Sequence, residues 1–122
     1  MITLSVTNDI HGYAGAVDVP IEDILYMQYS SSIRRVIVYT AGQSYYLVGP
    51  LSYWCNALNS SGYQFSEGDR TAAINLRKVV RMNNFFKTAY FDDSKIGCML
   101  SKNGYEDLKK QLGHLETTVA FI

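Results

Sequence analysis

The chain has 122 residues, of which 48% are apolar and 18% are charged. A domain of this size buries enough apolar surface to fold without disulfides or a metal, and the composition excludes a disordered chain, a collagen-like repeat and a coiled coil. Eleven Lys and Arg balance eleven Asp and Glu, so the formal net charge is zero. This balance argues against a general nucleic-acid binder, because such proteins usually carry a basic excess.

The first half of the chain is predicted to form short strands. Alternation of apolar and polar residues, or β-branched runs, indicates strands at residues 2–6, 16–19, 24–29, 36–40 and 44–48. Three serines at 30–32 indicate a loop, and the residues at 41–43 close a hairpin.

The second half adds two short helices. Leu51, Trp54, Cys55 and Leu58 have the spacing of one apolar helical face, which residues 59–62 end. Short strands are predicted at 72–74, 79–82, 86–91 and 96–100, with a tight turn at 92–94. Residues 103–106 resemble a capping box and predict a helix at 105–112, and residues 117–122 could form a last strand.

About nine short strands, joined mostly by tight turns, favour antiparallel pairing, since parallel pairing needs long crossovers. The sequence contains no linker, repeat or low-complexity tract. We therefore predict one mainly β domain over residues 1–122, with two short helices.

Several classes of site and of location are disfavoured. No apolar run approaches the roughly 18 residues that span a bilayer, and no secretory signal is present, so a cytoplasmic location is predicted. Cys55 and Cys98 are expected to be reduced packing residues. Neither His11 nor His114 has neighbours at metal-ligand spacing. No nucleophile or phosphate-loop motif occurs, so we expect no enzyme, no metal and no cofactor.

The zero charge conceals a segregation along the chain. Residues 1–33 carry −4, residues 34–110 carry +5 and residues 111–122 carry −1. Several cations fall in predicted loops, where Arg and Asn side chains read base edges and Lys and Arg bind phosphates. Such a segregation can create a basic face on a neutral molecule, although a solvated mixed surface fits equally well.

Four segments occur in a distinctive order. They are VPIEDILYM at 19–27, tyrosine-rich strands around 39–40 and 45–47, the helix at 51–58 together with Phe65 and RTAAINLRKV at 70–79, and LSK at 100–102 followed by Tyr105 and Leu108. Together they resemble the LytTR-type DNA-binding domain of LytR/AlgR/AgrA-type response regulators. The resemblance covers about residues 16–112 and leaves 113–122 as a C-terminal extension.

The resemblance implies a fold of antiparallel sheets stacked in an elongated layer arrangement, with loops that enter the major groove of double-stranded DNA. The implied base-reading residues are Arg34, Arg70, Lys102 and Asn103. The implied phosphate-binding residues are Arg35, Arg77, Lys78, Ser32, Thr71 and Ser101. As in the family, a pair of protomers is expected to bind repeat elements in a promoter, as a homodimer on DNA.

Two departures from the family pattern keep an alternative open. Glu67 and Asp69 stand beside Arg70, where the family commonly has His and a neutral or basic residue, and a carboxylate repels phosphate. Fewer than twenty residues precede the first motif, which leaves no room for a receiver domain, so a stand-alone regulator is expected. The alternative is a protein-interaction module, an inhibitor or adaptor of a regulator or polymerase, with weak or lost DNA binding.

Overall fold

A computed structural model describes residues 2–69, 71–91, 96–115 and 119–122. The described residues form eleven strands and two α-helices, which confirms the mainly β fold. The strands are β1 (Thr3–Thr7), β2 (Ala16–Pro20), β3 (Ile24–Ser30), β4 (Arg35–Thr40), β5 (Ser44–Leu47), β6 (Phe65–Asp69), β7 (Ala72–Asn75), β8 (Val79–Asn83), β9 (Thr88–Phe91), β10 (Gly97–Met99) and β11 (Ala120–Phe121). The helices are α1 (Leu51–Ser60) and α2 (Lys102–Gly113), and 3-10 turns occupy Ile21–Asp23 and Leu76–Lys78.

The strands form two sheets. The large sheet has the order β2-β1-β5-β4-β3-β7-β6, and the small sheet has the order β10-β9-β8-β11. Pairing is antiparallel except between β8 and β11, which are parallel. The antiparallel expectation fails only for this last pair, because the C-terminal strand arrives through α2, a connection long enough to reverse the chain direction.

The central strand of the large sheet is buried on both faces. Met27 of β3 packs into one core with the apolar face of α1, whereas Leu25 and Tyr26 pack into a second core with the small sheet and α2. The side chains of the neighbouring strand β7 are shared between the two cores in the same way, since Ala73 packs into the first core and Ile74 into the second. The fold is therefore a three-layer arrangement, with α1 on one side of the large sheet and the small sheet with α2 on the other.

Helix α1 confirms the predicted helical face, since Leu51, Cys55 and Leu58 are buried. Its end is fixed to β6 by one side chain. The Asn59 Nδ2 donates to the Phe65 carbonyl oxygen at 2.9 Å, and the Phe65 amide donates back to Asn59 Oδ1 at 2.7 Å. This pairing holds β6 at the edge of the sheet.

The prediction for α2 is wrong at its start. The helix begins at Lys102 rather than at 105, and its N-cap is Ser101, whose side chain accepts from the Gly104 amide at 3.0 Å. Asn103 lies inside the first turn, so it does not head a capping box. Serine is an equally good N-cap residue. Tyr105, Leu108 and Leu112 are buried residues of the helix.

One strand was not predicted and one turn cannot be compared. Strand β6 contains Ser66, Glu67, Gly68 and Asp69 and lacks an apolar alternation, but it pairs with β7 through an irregular register. The predicted turn at 92–94 lies outside the described residues. Within the described part of the chain, no helix is long and apolar enough to cross a membrane.

Candidate functional site

Two of the three segments implied by the resemblance meet at one end of the large sheet. The β3–β4 turn, residues 31–34, follows Ser30, which pairs with Arg35. The β6–β7 turn lies beside it, because β7 also pairs with β3 and the Tyr29 amide donates to the Thr71 carbonyl oxygen at 2.8 Å. We call this end, formed by residues 31–34 and Thr71, the turn end of the large sheet.

Arg34 lies at the last position of the β3–β4 turn. Its φ of +56° is in the left-handed region, which closes the turn into β4. The side chain is exposed and borders a pocket of about 450 Å³. The other lining residues are Tyr29, Val48, Gly49, Pro50, Leu51, Ser52 and Glu67. A guanidinium here can donate several hydrogen bonds to a ligand.

Glu67 places a carboxylate at the same pocket. Burial, and after it the negative charge and hydrogen bonding of Glu67, raise the pKa of the Cys55 thiol to about 11. Glu67 is thus oriented between β6 and α1, close to Cys55. The side chain of Asp69, the second acidic residue singled out from the sequence, lies outside the description.

Arg35 is engaged within the protein. Its Nε donates to the Ile10 carbonyl oxygen at 3.0 Å, and its Nη1 donates to the Arg34 carbonyl oxygen at 2.9 Å. These bonds tie the β3–β4 turn to the β1–β2 loop. The loop is itself closed by Asp9, whose carboxylate accepts from the amides of Tyr13 and Ala14 at 2.9 and 3.0 Å. The sequence carried no signal for this bracing, because it joins residues 25 apart.

The remaining polar residues of the turn end are accessible. Ser32 and Thr71 are both exposed. The Ser32 hydroxyl lies 3.1 Å from the Ser30 hydroxyl. Arg70, the proposed reader between β6 and β7, lies outside the described residues.

The third implied segment is carried by α2. Lys102 and Asn103 are exposed in the first helical turn, which contains no acidic residue. Ser101 precedes them as the N-cap, so its oxygen is already an acceptor for a backbone amide. Helix α2 packs against β6, the strand that leads into the β6–β7 turn.

The structure separates Arg77 and Lys78 from the turn end. They follow β7 at its opposite end, in the 3-10 turn. Both border a pocket of about 390 Å³ that Glu22 and Tyr63 also line. Arg77 and Lys78 therefore lie at the end of β7 that is opposite Thr71.

His11 and the two cysteines lie outside these segments. His11 stacks at a tilt near Tyr13, with ring centroids 5.4 Å apart. Cys55 and Cys98 are both buried and form no disulfide. In the ranges that the structure describes, no three His, Cys, Asp or Glu side chains are grouped as metal ligands.

Comparison with known families and structures identifies what the chain is similar to. A family model described as the LytTr DNA-binding domain matches residues 14–113. The solved LytTr DNA-binding domain of a protein described as a methyl-accepting/DNA response regulator from Bacillus cereus superposes with a TM-score of 0.68 at 11% identity, covering 94% of this chain and 99% of that one. No protein of curated function gives a significant match.

Proposed function

The chain belongs to the LytTR family of DNA-binding domains, and from that premise we propose that it is a transcription regulator that binds specific sequences of double-stranded DNA with loops in the major groove. The family is a DNA-binding one and not an enzymatic fold. The observation that carries the proposal is the turn end, where exposed Arg34 and exposed Thr71 lie in two neighbouring turns.

Each proposed residue has a role. Arg34, Arg70, Lys102 and Asn103 read base edges, since Arg and Lys pair with guanine and Asn pairs with adenine in the major groove. Arg35, Arg77, Lys78, Ser32, Thr71 and Ser101 contact phosphates and fix the register of the complex.

The distance between the two groups of basic residues suits one duplex. Strand β7 has four residues and spans roughly 10–13 Å at about 3.3 Å per residue. This is about a third of a DNA helical turn of about 34 Å. Arg77 and Lys78 can therefore contact phosphates that flank the bases read at the turn end.

The proposed complex contains two protomers on repeated half-sites, and no cofactor or metal takes part. Each protomer offers few cations. When two copies bind adjacent repeats as a dimer, the first copy holds the second at a high effective concentration near its own repeat, and this raises the affinity of the pair. Binding to duplexes with one or two half-sites, followed by sedimentation, measures this stoichiometry.

Selection of bound duplexes from a random pool tests the proposal. We expect a shared sequence element to emerge, and Arg34→Ala to weaken its binding by about 1–3 kcal/mol, with relaxed selectivity at one base pair. Arg70→Ala should relax selectivity at a different position. The proposed DNA-binding function would be refuted if no sequence element is enriched at low salt. It would also be refuted if the double variant Arg34→Ala, Arg70→Ala binds the element as tightly as wild type.

The alternative, an interaction module for a regulator or polymerase, is favoured by Glu67, whose carboxylate shares the pocket of Arg34. Such a module would show weak or no duplex binding, and its pocket would instead pair a partner's charged groups with Arg34 and Glu67. The random-pool selection separates the two functions directly.

A further inference from the structure

The β8–β9 turn, residues 84–87, exposes two aromatic rings. Phe85 is 86% exposed and Phe86 is 57% exposed. Their ring centroids are 5.0 Å apart and the rings are nearly perpendicular, at 89°. Transfer of a large apolar group out of water lowers the free energy. A pair of exposed rings at the tip of a turn therefore indicates a contact surface.

Hydrogen bonds hold this turn in one conformation. The Phe86 amide donates to Asn83 Oδ1 at 3.0 Å, and Lys87 Nζ donates to Asn84 Oδ1 at 2.8 Å. The Asn84 amide donates to the carbonyl oxygen of Ile122 at 2.7 Å. The rings are therefore presented by a braced support, which lowers the entropic cost of using them in binding.

The turn lies against the start of α2. The Leu100 amide donates to the Lys87 carbonyl oxygen at 2.8 Å, and Lys87 Nζ lies 5.0 Å from the centroid of the Tyr105 ring. Leu100 and Tyr105 flank the segment that contains Lys102 and Asn103. The turn that carries the two rings thus adjoins the start of α2, where Lys102 and Asn103 lie.

The two rings have different surroundings. Phe86 borders a shallow depression on the outer face of the small sheet, together with Tyr90, Gly97 and Met99. Phe85 is the more exposed ring. Phe85 is therefore the ring that can project beyond the surface of the turn.

We propose that Phe85 contacts DNA by inserting its ring at a base step beside the bases read from the start of α2. The inference rests on the proposed function. Lys87 belongs to the same turn as Phe85 and lies by the Tyr105 ring of α2. The first turn of α2 contains Lys102 and no acidic residue, so these cations attract a polyanion to this part of the surface. Apolar wedges of this kind partly unstack a base step and bend the duplex.

Binding of the selected duplex by the intact chain tests the wedge. Compared with wild type, Phe85→Ala should bind about tenfold more weakly, whereas Phe85→Leu should retain most of the affinity because it keeps an apolar wedge. Tyr13→Ala is the matched control, since Tyr13 is 89% exposed but lies in the β1–β2 loop. Its affinity should equal that of wild type.

Two further measurements separate a wedge from a general loss of binding. The slope of log affinity against log salt should be unchanged in Phe85→Ala, because no charge is removed. Duplexes with 2-aminopurine at successive positions should brighten at one base step when wild type binds, and should not brighten with Phe85→Ala. Thermal unfolding should be the same for both proteins, because the ring is exposed.

The outcomes are distinguishable. If wild type binds no duplex, the proposed function fails and the wedge fails with it. If wild type binds and Phe85→Ala binds equally tightly with the same 2-aminopurine signal, the wedge alone is refuted. The exposed rings would then be assigned to contact with a protein partner. An equal loss of DNA affinity in Tyr13→Ala would also refute the wedge.

Discussion

At the scale of single residues, opposite charges share the proposed DNA surface. Arg34 and Glu67 line one pocket at the turn end. The Glu67 carboxylate repels the phosphate backbone of DNA. It therefore lowers the affinity of the protein for duplexes of any sequence. Selectivity is then left to the side chains that make hydrogen bonds to bases, which is consistent with a chain of zero net charge.

Replacement of Glu67 by Gln should strengthen DNA binding. Removing one unit charge about 6 Å from a phosphate in water is worth about 0.7 kcal/mol, or roughly threefold in affinity. Fluorescence anisotropy at low salt measures the change. Asp18→Asn, on the edge strand β2, removes the same charge elsewhere and should leave the affinity unaltered. Unchanged or weaker binding by Glu67→Gln would argue that this carboxylate faces away from DNA.

Asp9 predicts a pH dependence of stability. Hydrogen bonds from backbone amides, that of Ala14 first, lower the pKa of Asp9 below its ordinary value of 3.8. A depressed pKa stabilises the fold above the unfolded-state value, and the contribution is lost as the pH falls through the folded-state value. Asp9→Asn should therefore lower the free energy of unfolding at neutral pH.

Chemical denaturation of wild type and Asp9→Asn across the acid range checks this sign. The difference between the two proteins should shrink as the pH falls below about 4, because the wild-type carboxylate is protonated first in the unfolded state and, at lower pH, in the folded state. Asp107→Asn, on the exposed face of α2, controls for the loss of one negative charge. A difference that stays constant with pH would contradict the assignment.

At the scale of elements, α2 shows how a cap sets the position of functional residues. Ser101 satisfies the Gly104 amide, and this starts the helix at Lys102. Because the helix starts there, Lys102 and Asn103 lie in its first turn, beside the β8–β9 turn. A later start would change the direction of both side chains.

Ser101→Ala should destabilise the protein by about 1 kcal/mol, because α2 loses the side-chain acceptor of its N-cap. The midpoint of urea unfolding should fall without a change in slope. Ser60→Ala, at the exposed last residue of α1, is the matched control and should have little effect. An equal effect of both substitutions would contradict the capping role.

At the scale of the whole molecule, neutrality is a balance between parts of the chain. The acidic residues of the first 33 positions offset cations concentrated in residues 34–110. The fold places some of these cations at the turn end, at the start of α2 and at the far end of β7. A neutral chain can therefore present cations at several places that one duplex could reach.

The salt dependence of specific binding measures how many cations take part. If Arg35, Arg77 and Lys78 each neutralise one phosphate, log affinity of one protomer for a single half-site should fall against log salt with a slope of about −2.7. The double variant Arg77→Ala, Lys78→Ala should reduce the slope to about −0.9. The control pair Lys109→Ala, Lys110→Ala, on α2, should leave it unchanged. Identical slopes for all three proteins would exclude Arg77 and Lys78 from the interface.

Local patterns predicted most of the elements correctly. The helix α1 and the strands of the first half follow from apolar spacing and turn residues within a few positions of each other. Strand β6 was missed because its residues are polar and its pairing comes from β7 and Asn59. The start of α2 was misplaced because two neighbouring residues, Ser101 and Asn103, are both good caps. The structure assigns the cap to Ser101, whose side chain accepts from the Gly104 amide.

The sequence by itself determined the mainly β architecture, the family resemblance and the identity of the candidate side chains, because these depend on residue type and local spacing. Only the tertiary structure decided which candidates lie together. It joined the two turns through the pairing of β3 with β7, separated Arg77 and Lys78 from them, engaged Arg35 with Ile10 and brought the β8–β9 turn beside the start of α2. These relations depend on contacts between distant parts of the chain, and no local pattern encodes them.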